Sequence, residues 1–250
     1  MRWLLLLLLL ALPARAEQVV AGLSQNRIAI TANFDGSEIL IFGAVKREAP
    51  PPGAAAMGVV ITLEGPKEPV TVRRKDRWAI IWVNQEALEV DRAPSFYAVA
   101  TSGPLDDVLS DVEDLRHSIT IRRAIRSVGA PMEIADPTNF TEALIRIRER
   151  ADLYQIKPGT VEISEETLFN TSIALPANLV EGNYRARFFL TRDGAVVSQA
   201  ETLIYVQKVG LERFLYTLAH EQPLVYGLMS LAIAIAAGWG ASAVFRYLQG

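Results

Sequence analysis

The chain has 250 residues, half of them hydrophobic, with 25 Lys and Arg against 28 Asp and Glu and a formal net charge of −3. A mildly acidic chain without a basic tail lacks the positive footprint that nucleic-acid binding requires. It contains no cysteine, which excludes disulfides, thiolate nucleophiles and thiolate metal sites.

The first sixteen residues read as a secretory signal. Arg2 precedes an apolar core from Trp3 to Leu12, and Ala14 and Ala16 supply the small residues before a cut after Ala16. An apolar core this short rises only about 15 Å as a helix, roughly half a hydrocarbon layer. The uncleaved alternative is an N-terminal anchor. Cleavage would remove Arg2 and Arg15 and take the formal charge from −3 to −5.

Residues 17–104 are strand-like. Ile28 to Phe34 alternates, Asp35-Gly36 signals a hairpin turn into Glu38 to Val45, and Pro50-Pro51-Pro52-Gly53 forms an extended loop. Further runs follow at Met57 to Leu63, Val70 to Val72, Trp78 to Val83 and Phe96 to Thr101. Short strands at this spacing indicate an Ig-like β-sandwich. The basic residues Arg73, Arg74, Lys75 and Arg77 lie between two of the runs. On a strand, Arg73, Lys75 and Arg77 would share one face and form a candidate anion or headgroup contact. The competing reading is a solvated strand edge guarded against aggregation.

Residues 105–156 change period. Leu105, Val108, Leu109, Val112, Leu115 and Ile119 follow helical spacing, with acidic residues early and Arg122, Arg123 and Arg126 late, as a helix dipole favours. Gly129-Ala130-Pro131 links this segment to a second helix. Asp136-Pro137 reads as its N-cap and first-turn proline, and Phe140, Leu144, Ile147, Ala151 and Tyr154 as its apolar stripe. The expectation is an inserted helical hairpin on the sandwich.

Residues 157–208 return to strands, with Tyr184 to Thr191 and Val196 to Val206 joined through Arg192-Asp193-Gly194-Ala195. Periodicity leaves open whether they complete the first sandwich or form a second. Residues 209–222 place Leu211, Phe214, Leu215 and Leu218 on one amphipathic face, suited to a helix lying in the bilayer interface. A soluble helix packed on the domain would show the same pattern.

Residues 223–245 are free of formal charge and precede Arg246. As a helix they reach about 34 Å, enough to span a bilayer with some tilt. Ser230, Ala234, Gly238 and Ser242 recur every four residues along this segment. Such a ridge of small side chains lets a second helix approach closely in lipid. A signal followed by a stop-transfer helix places the middle of the chain outside the cytoplasm and leaves residues 246–250 as a cytoplasmic tail.

No constellation nominates an enzyme. The two histidines, His117 and His220, have no second His within ligand spacing. Asp106, Asp107 and Asp111 lack the glycine-turned loop and distal glutamate of a calcium-binding hand. G-x-S-x-G, phosphate-loop and dinucleotide motifs are absent. No cofactor or metal site is expected, and an anchored hydrolase is the remote alternative.

Several segments carry a resemblance. They are Leu23-Ser24-Gln25-Asn26-Arg27-Ile28, Phe34-Asp35-Gly36-Ser37-Glu38, Phe42-Gly43-Ala44, Arg74-Lys75, Ile81-Trp82-Val83-Asn84 and Pro94-Ser95-Phe96-Tyr97. The match continues through Lys208-Val209-Gly210-Leu211-Glu212-Arg213-Phe214, Pro223-Leu224-Val225-Tyr226-Gly227 and Gly238-Trp239. In these the chain resembles the "alphaproteobacterial putative transmembrane protein" family. The resemblance implies a bacterial inner-membrane protein and, as partner, an integral membrane protein such as a sulfite-exporter-like transporter. It carries over no catalytic residue. The expected product is mainly β: a periplasmic sandwich with a helical insert, an interfacial helix and one C-terminal transmembrane helix. Its expected role is that of an accessory or interaction protein in contact with membrane lipid. A periplasmic anion-binding or sensing module is the alternative.

Overall fold

The computed structural model describes residues 17–31, 34–47, 56–127, 136–165 and 167–249, with the backbone alone at 211–213 and 247–249. The expected signal segment 1–16, the Pro50–Gly53 loop and the Gly129–Pro131 link lie outside the described residues. The chain divides into two compact units, one of Asp35–Val206 with the segment ending at Ile28, the other of Ala29–Phe34 with Gln207–Gly250.

The first unit is mainly β. A four-stranded sheet runs in the order β1 (Glu17–Leu23), β3 (Ser37–Arg47), β10 (Leu168–Leu175), β9 (Glu162–Ser164). A six-stranded sheet runs β2 (Arg27–Ile30), β12 (Ala195–Lys208), β11 (Gly182–Arg192), β4 (Met57–Glu64), β7 (Tyr97–Thr101), β8 (Tyr154–Lys157). Strands from both ends of the sequence share each sheet, so there is one sandwich, not two. A third, two-stranded sheet pairs β5 (Lys67–Trp78) with β6 (Ile81–Pro94).

Side-chain alternation builds the layers. Phe188 and Phe189 are successive residues of β11 and point to opposite faces. Phe188 meets Phe169 of the four-stranded sheet at 6.4 Å between centroids, while Phe189 meets His117 of the helical insert at 5.5 Å. The six-stranded sheet is therefore covered on both sides. That explains why every residue of β4 from Gly58 to Glu64 is buried and why its sequence reads as a continuous apolar run. Each fully buried Val, Ile or Leu there stabilises the fold by about 1.5–3 kcal/mol.

Asp35-Gly36 does not make a hairpin. β2 and β3 lie in different sheets, and the turn carries the chain between them. Gly36 has φ 119°, and a Cβ on it would lie 2.8 Å from the Leu175 carbonyl oxygen, so the crossover needs glycine. The Asp193-Gly194 turn does make its hairpin. Both residues have positive φ, 48° and 76°, the two-residue geometry that matches strand twist.

The helical insert is segmented instead of a two-helix hairpin. Its first half forms three short helices, α1 (Leu105–Val108), α2 (Asp111–His117) and α3 (Ile121–Ala124). Ser118 takes a left-handed conformation at φ 50°, and Asp114 holds the break. Its carboxylate accepts the Ile119 and Thr120 N–H groups at 3.0 and 2.7 Å and the Thr120 hydroxyl at 2.8 Å. Leu109 and Ile119 are buried as their spacing implies, but Val112 and Leu115 are exposed. The second half is α4 (Pro137–Arg150), where Phe140 and Leu144 are buried and Ile147 is exposed. Asp136 sits at its N-cap but accepts from the Asn139 side chain. The helix stops at Arg150, so Tyr154 belongs to β8. β8 runs parallel to β7, in register Tyr97↔Tyr154. A parallel pair requires a long crossover, which the insert supplies.

In the second unit, Gly210 (φ 122°) precedes α5 (Leu211–Glu221), and Gln222 leads into α6 (Pro223–Gln249).

Candidate functional site

Two regions carry the residues singled out by sequence. The first is α6. Pro223 opens the helix where its missing N–H costs nothing, and the Tyr226 N–H bonds to the Gln222 carbonyl at 3.1 Å. From Pro223 to Arg246 it is 24 residues long, and its most apolar 18-residue stretch has a mean hydropathy of 1.8, long and apolar enough to cross a membrane. Ser230, Ala234, Gly238 and Ser242 are all exposed along it. A Cβ added at Gly238 would meet nothing within 4 Å. This face can pack against another helix. It holds no group for proton transfer or charge stabilisation beyond two serine hydroxyls.

The preceding α5 carries the residues of the expected amphipathic face. The Leu211 side chain lies outside the described residues, Phe214 is exposed, and Leu215 and Leu218 are half-buried. Tyr216, which the apolar pattern passed over, is exposed and stacks on His220 at 4.0 Å.

The second region is the β5–β6 arm. Arg73 to Arg77 lies within β5 and not between strands, and the chain reverses at Ala79-Ile80. Arg73 and Lys75 do share a site. With Arg74, and with Arg146 of α4, they line a groove of about 430 Å³ over Phe140, Ala143 and Ile147. Arg77 is not part of it. Arg74 is paired with Glu86 and lies 5.5 Å over the Phe140 ring, and the groove's Glu142 is paired with Arg122. Among the described residues, Arg73, Lys75 and Arg146 have no acidic partner within 4 Å, so the groove is net cationic.

The buried polar groups form structural networks. The Tyr97 hydroxyl donates to the Ile119 carbonyl at 2.8 Å and accepts from Arg187 at 3.1 Å. Arg187 also donates to the carbonyls of His117 (2.7 Å) and Ser118 (2.9 Å), closing the end of α2. Burial pushes the hydroxyls of Tyr97 and Tyr154 up to about 12. His117 lies 3.3 Å from Glu113 and against Phe189. Among the described residues, no group of three or more His, Asp or Glu is placed to hold a metal ion.

Sequence reasoning missed Glu17, which chelates Arg192 at 2.7 and 2.9 Å and also accepts from Arg47 at 3.0 Å. It also missed the arm's tip, whose two tryptophans four residues apart behind a basic run were the available signal.

No curated protein matches the chain in sequence. Among solved structures, the sporulation control protein Spo0M from Bacillus subtilis aligns over 78% of this chain at 12% identity and a TM-score of 0.26. The aligned region spans half of that protein's length, and at this score the likeness carries no argument about fold or function. The sequence pattern of the family described as "Putative transmembrane protein (Alph_Pro_TM)" matches residues 18–247, nearly the whole chain. The chain belongs to this transmembrane protein family.

Proposed function

We propose that the protein is a non-enzymatic accessory protein of the bacterial inner membrane, with its β domain in the periplasm and its C-terminus in the cytoplasm. Its partner is an integral membrane protein, for which a sulfite-exporter-like transporter is the leading candidate, packed against the small-residue face of α6. The observation that carries this reading is the open space over Gly238 on a span of which no residue is buried. Helices in lipid associate through close backbone approach across such positions, because the bilayer offers no hydrophobic reward.

Purification of the full-length protein in mild detergent should recover the partner, and Gly238→Leu should cut recovery by about threefold or more by blocking close approach. Unchanged recovery would remove the ridge from the interface. The cysteine-free chain makes topology directly readable. An impermeant maleimide applied to spheroplasts should label Ser164→Cys and spare Gly250→Cys.

A second reading is anion binding in the β5–α4 groove, favoured by Arg73, Lys75 and Arg146, which have no acidic partner among the described residues, around an apolar floor. It requires saturable thermal stabilisation by an anion, lost in Arg73→Ala with Lys75→Ala. A flat melting temperature across an anion panel would eliminate it.

A further inference from the structure

The β5–β6 arm outreaches the body it grows from. Val72, Leu88 and Val90 are its buried base, and from Arg73 outward its side chains are exposed or half-buried. Arg73, Arg74 and Lys75 still line the groove with α4, and Asp76–Trp78 carry the arm about 10 Å beyond it at the usual rise of a strand. At the end of that reach Trp78 is 67% exposed, Ile80 86%, Ile81 52% and Trp82 68%. Solvent-exposed tryptophan and isoleucine clustered at one projecting point mark a surface that meets something apolar.

The distribution of these side chains identifies the occupant. Trp78 pairs with Ile81 across the last rung, and Trp82 pairs with Arg77 on the next. Neighbouring rungs face opposite sides of a ribbon, so apolar groups cover both sides of the tip, with Ile80 at its apex. A tip apolar all round suits end-on entry into a fluid layer better than docking on a protein surface, which would be met by one side. Behind it the chemistry changes at once. Arg77, Lys75, Arg74 and Arg73 form a basic collar, with Asp76 and Glu86 beside them on the arm. Glu86 is already paired with Arg74, and Asp76 accepts the Arg77 N–H at 2.7 Å. Tryptophan at the headgroup level with Lys and Arg reaching outward is the arrangement that bilayer interfaces select. The apolar span Pro223–Arg246 already tethers this chain to a bilayer, which keeps lipid at high effective concentration around the domain.

We infer that the β5–β6 tip is a second membrane contact, with Trp78, Ile80, Ile81 and Trp82 entering the headgroup–acyl boundary and Lys75 and Arg77 holding anionic headgroups. The contact is independent of any helix partner of α6.

The chain has four tryptophans, so Trp3→Phe with Trp239→Phe leaves Trp78 and Trp82 as the only indole reporters. The full-length variant is reconstituted into vesicles of equal parts phosphatidylglycerol and phosphatidylcholine, with or without bromine on the upper acyl chain. Brominated lipid should quench the emission about twofold, as expected for rings at the headgroup level, and iodide in the water should quench it weakly. Adding Lys75→Glu with Arg77→Glu, both at exposed positions, should reverse that pattern. Emission that iodide quenches and bromine does not would overturn the inference. So would quenching indifferent to the charge reversal, which would remove the anionic headgroup. Shielding from iodide in native membranes but not in these vesicles would also overturn it, and would assign the tip to a protein.

Discussion

Glu17 offers the sharpest test of how the sandwich is held. It begins β1 and joins the two sheets at their rim, bonding to Arg192 of β11 through both carboxylate oxygens and to Arg47 of β3. The side chains of Glu17, Arg192 and Arg47 are 6, 11 and 16% exposed, so removing the carboxylate leaves two guanidinium groups near each other and short of water. Full burial would put the loss at about 3–5 kcal/mol. Glu17→Gln retains one accepting oxygen, and the rim admits some solvent. Both reduce the expected cost to about 2 kcal/mol. For a domain of this size that corresponds to a melting temperature lower by about 4–8 °C. The hydrogen bonds from Arg192, helped by both positive charges, hold the Glu17 pKa below its ordinary 4.5. A depressed carboxylate stabilises the fold above the unfolded-state value, and that stabilisation disappears as pH falls through the folded-state value. The gap between wild type and Glu17→Gln should therefore be full near neutrality and narrow below about pH 4.5. Thermal melts of the full-length protein in detergent, followed by near-ultraviolet circular dichroism, measure it. A gap absent at neutral pH, or unchanged in acid, would refute the ion-pair argument.

Gly43→Ala should destabilise the four-stranded sheet by about 1–3 kcal/mol, the usual cost of overpacking. A Cβ there would lie 2.7 Å from the Val20 carbonyl oxygen and run into the Phe169 ring, and equilibrium denaturation would show the loss. Tyr97→Phe should cost about 1–2 kcal/mol, since it leaves the Ile119 carbonyl without its donor while Arg187 keeps two other acceptors; unfolding in urea would report it. Because burial raises Tyr97 and Tyr154 to about 12, against about 10 in the unfolded chain, the native chain at pH 11 should carry about 1.5 fewer tyrosinates than the unfolded chain by ultraviolet titration. The unfolded state loses those protons first, so stability should fall as pH rises above about 10.

The parts of the fold legible in sequence were those with a local cause. Asp193-Gly194 announces its hairpin because both positions need positive φ. The span Pro223–Arg246 announces itself by length and absence of charge. Long-range pairing was not legible. Nothing near Gly36 reveals that its turn passes the Leu175 carbonyl on the way to another sheet. The break at Ser118 depends on Asp114 turning its carboxylate onto the following backbone, although the same acidic residue also suits an uninterrupted helix. At the candidate anion site only the residues of one strand are visible in the sequence pattern. Arg73 and Lys75 meet at one groove, but Arg146, which completes it, comes from a helix more than seventy residues further along the chain.

The arm shows why an apolar run is ambiguous. Trp78 to Val83 has the composition of a buried strand, and Ala79-Ile80 holds none of the residues that mark a turn. Yet Ala79 reverses the chain at φ 56°, a conformation that alanine adopts only where surrounding structure imposes it. Here the imposing structure is the pairing of β5 with β6 below the turn. A Gly or Asn at position 79 would relieve the strain, so local stability does not account for alanine there. Apolar side chains carried to an exposed apex, on a turn whose residue type is unfavourable to it, put local folding preference and surface chemistry in opposition. Contact with an apolar phase removes half of that opposition, by giving Trp78, Ile80, Ile81 and Trp82 a place to leave water. Ala79→Gly should accordingly leave the lipid contact intact while stabilising the hairpin. Ile80→Asn with Ile81→Asn should abolish the contact without lowering the melting temperature of the domain.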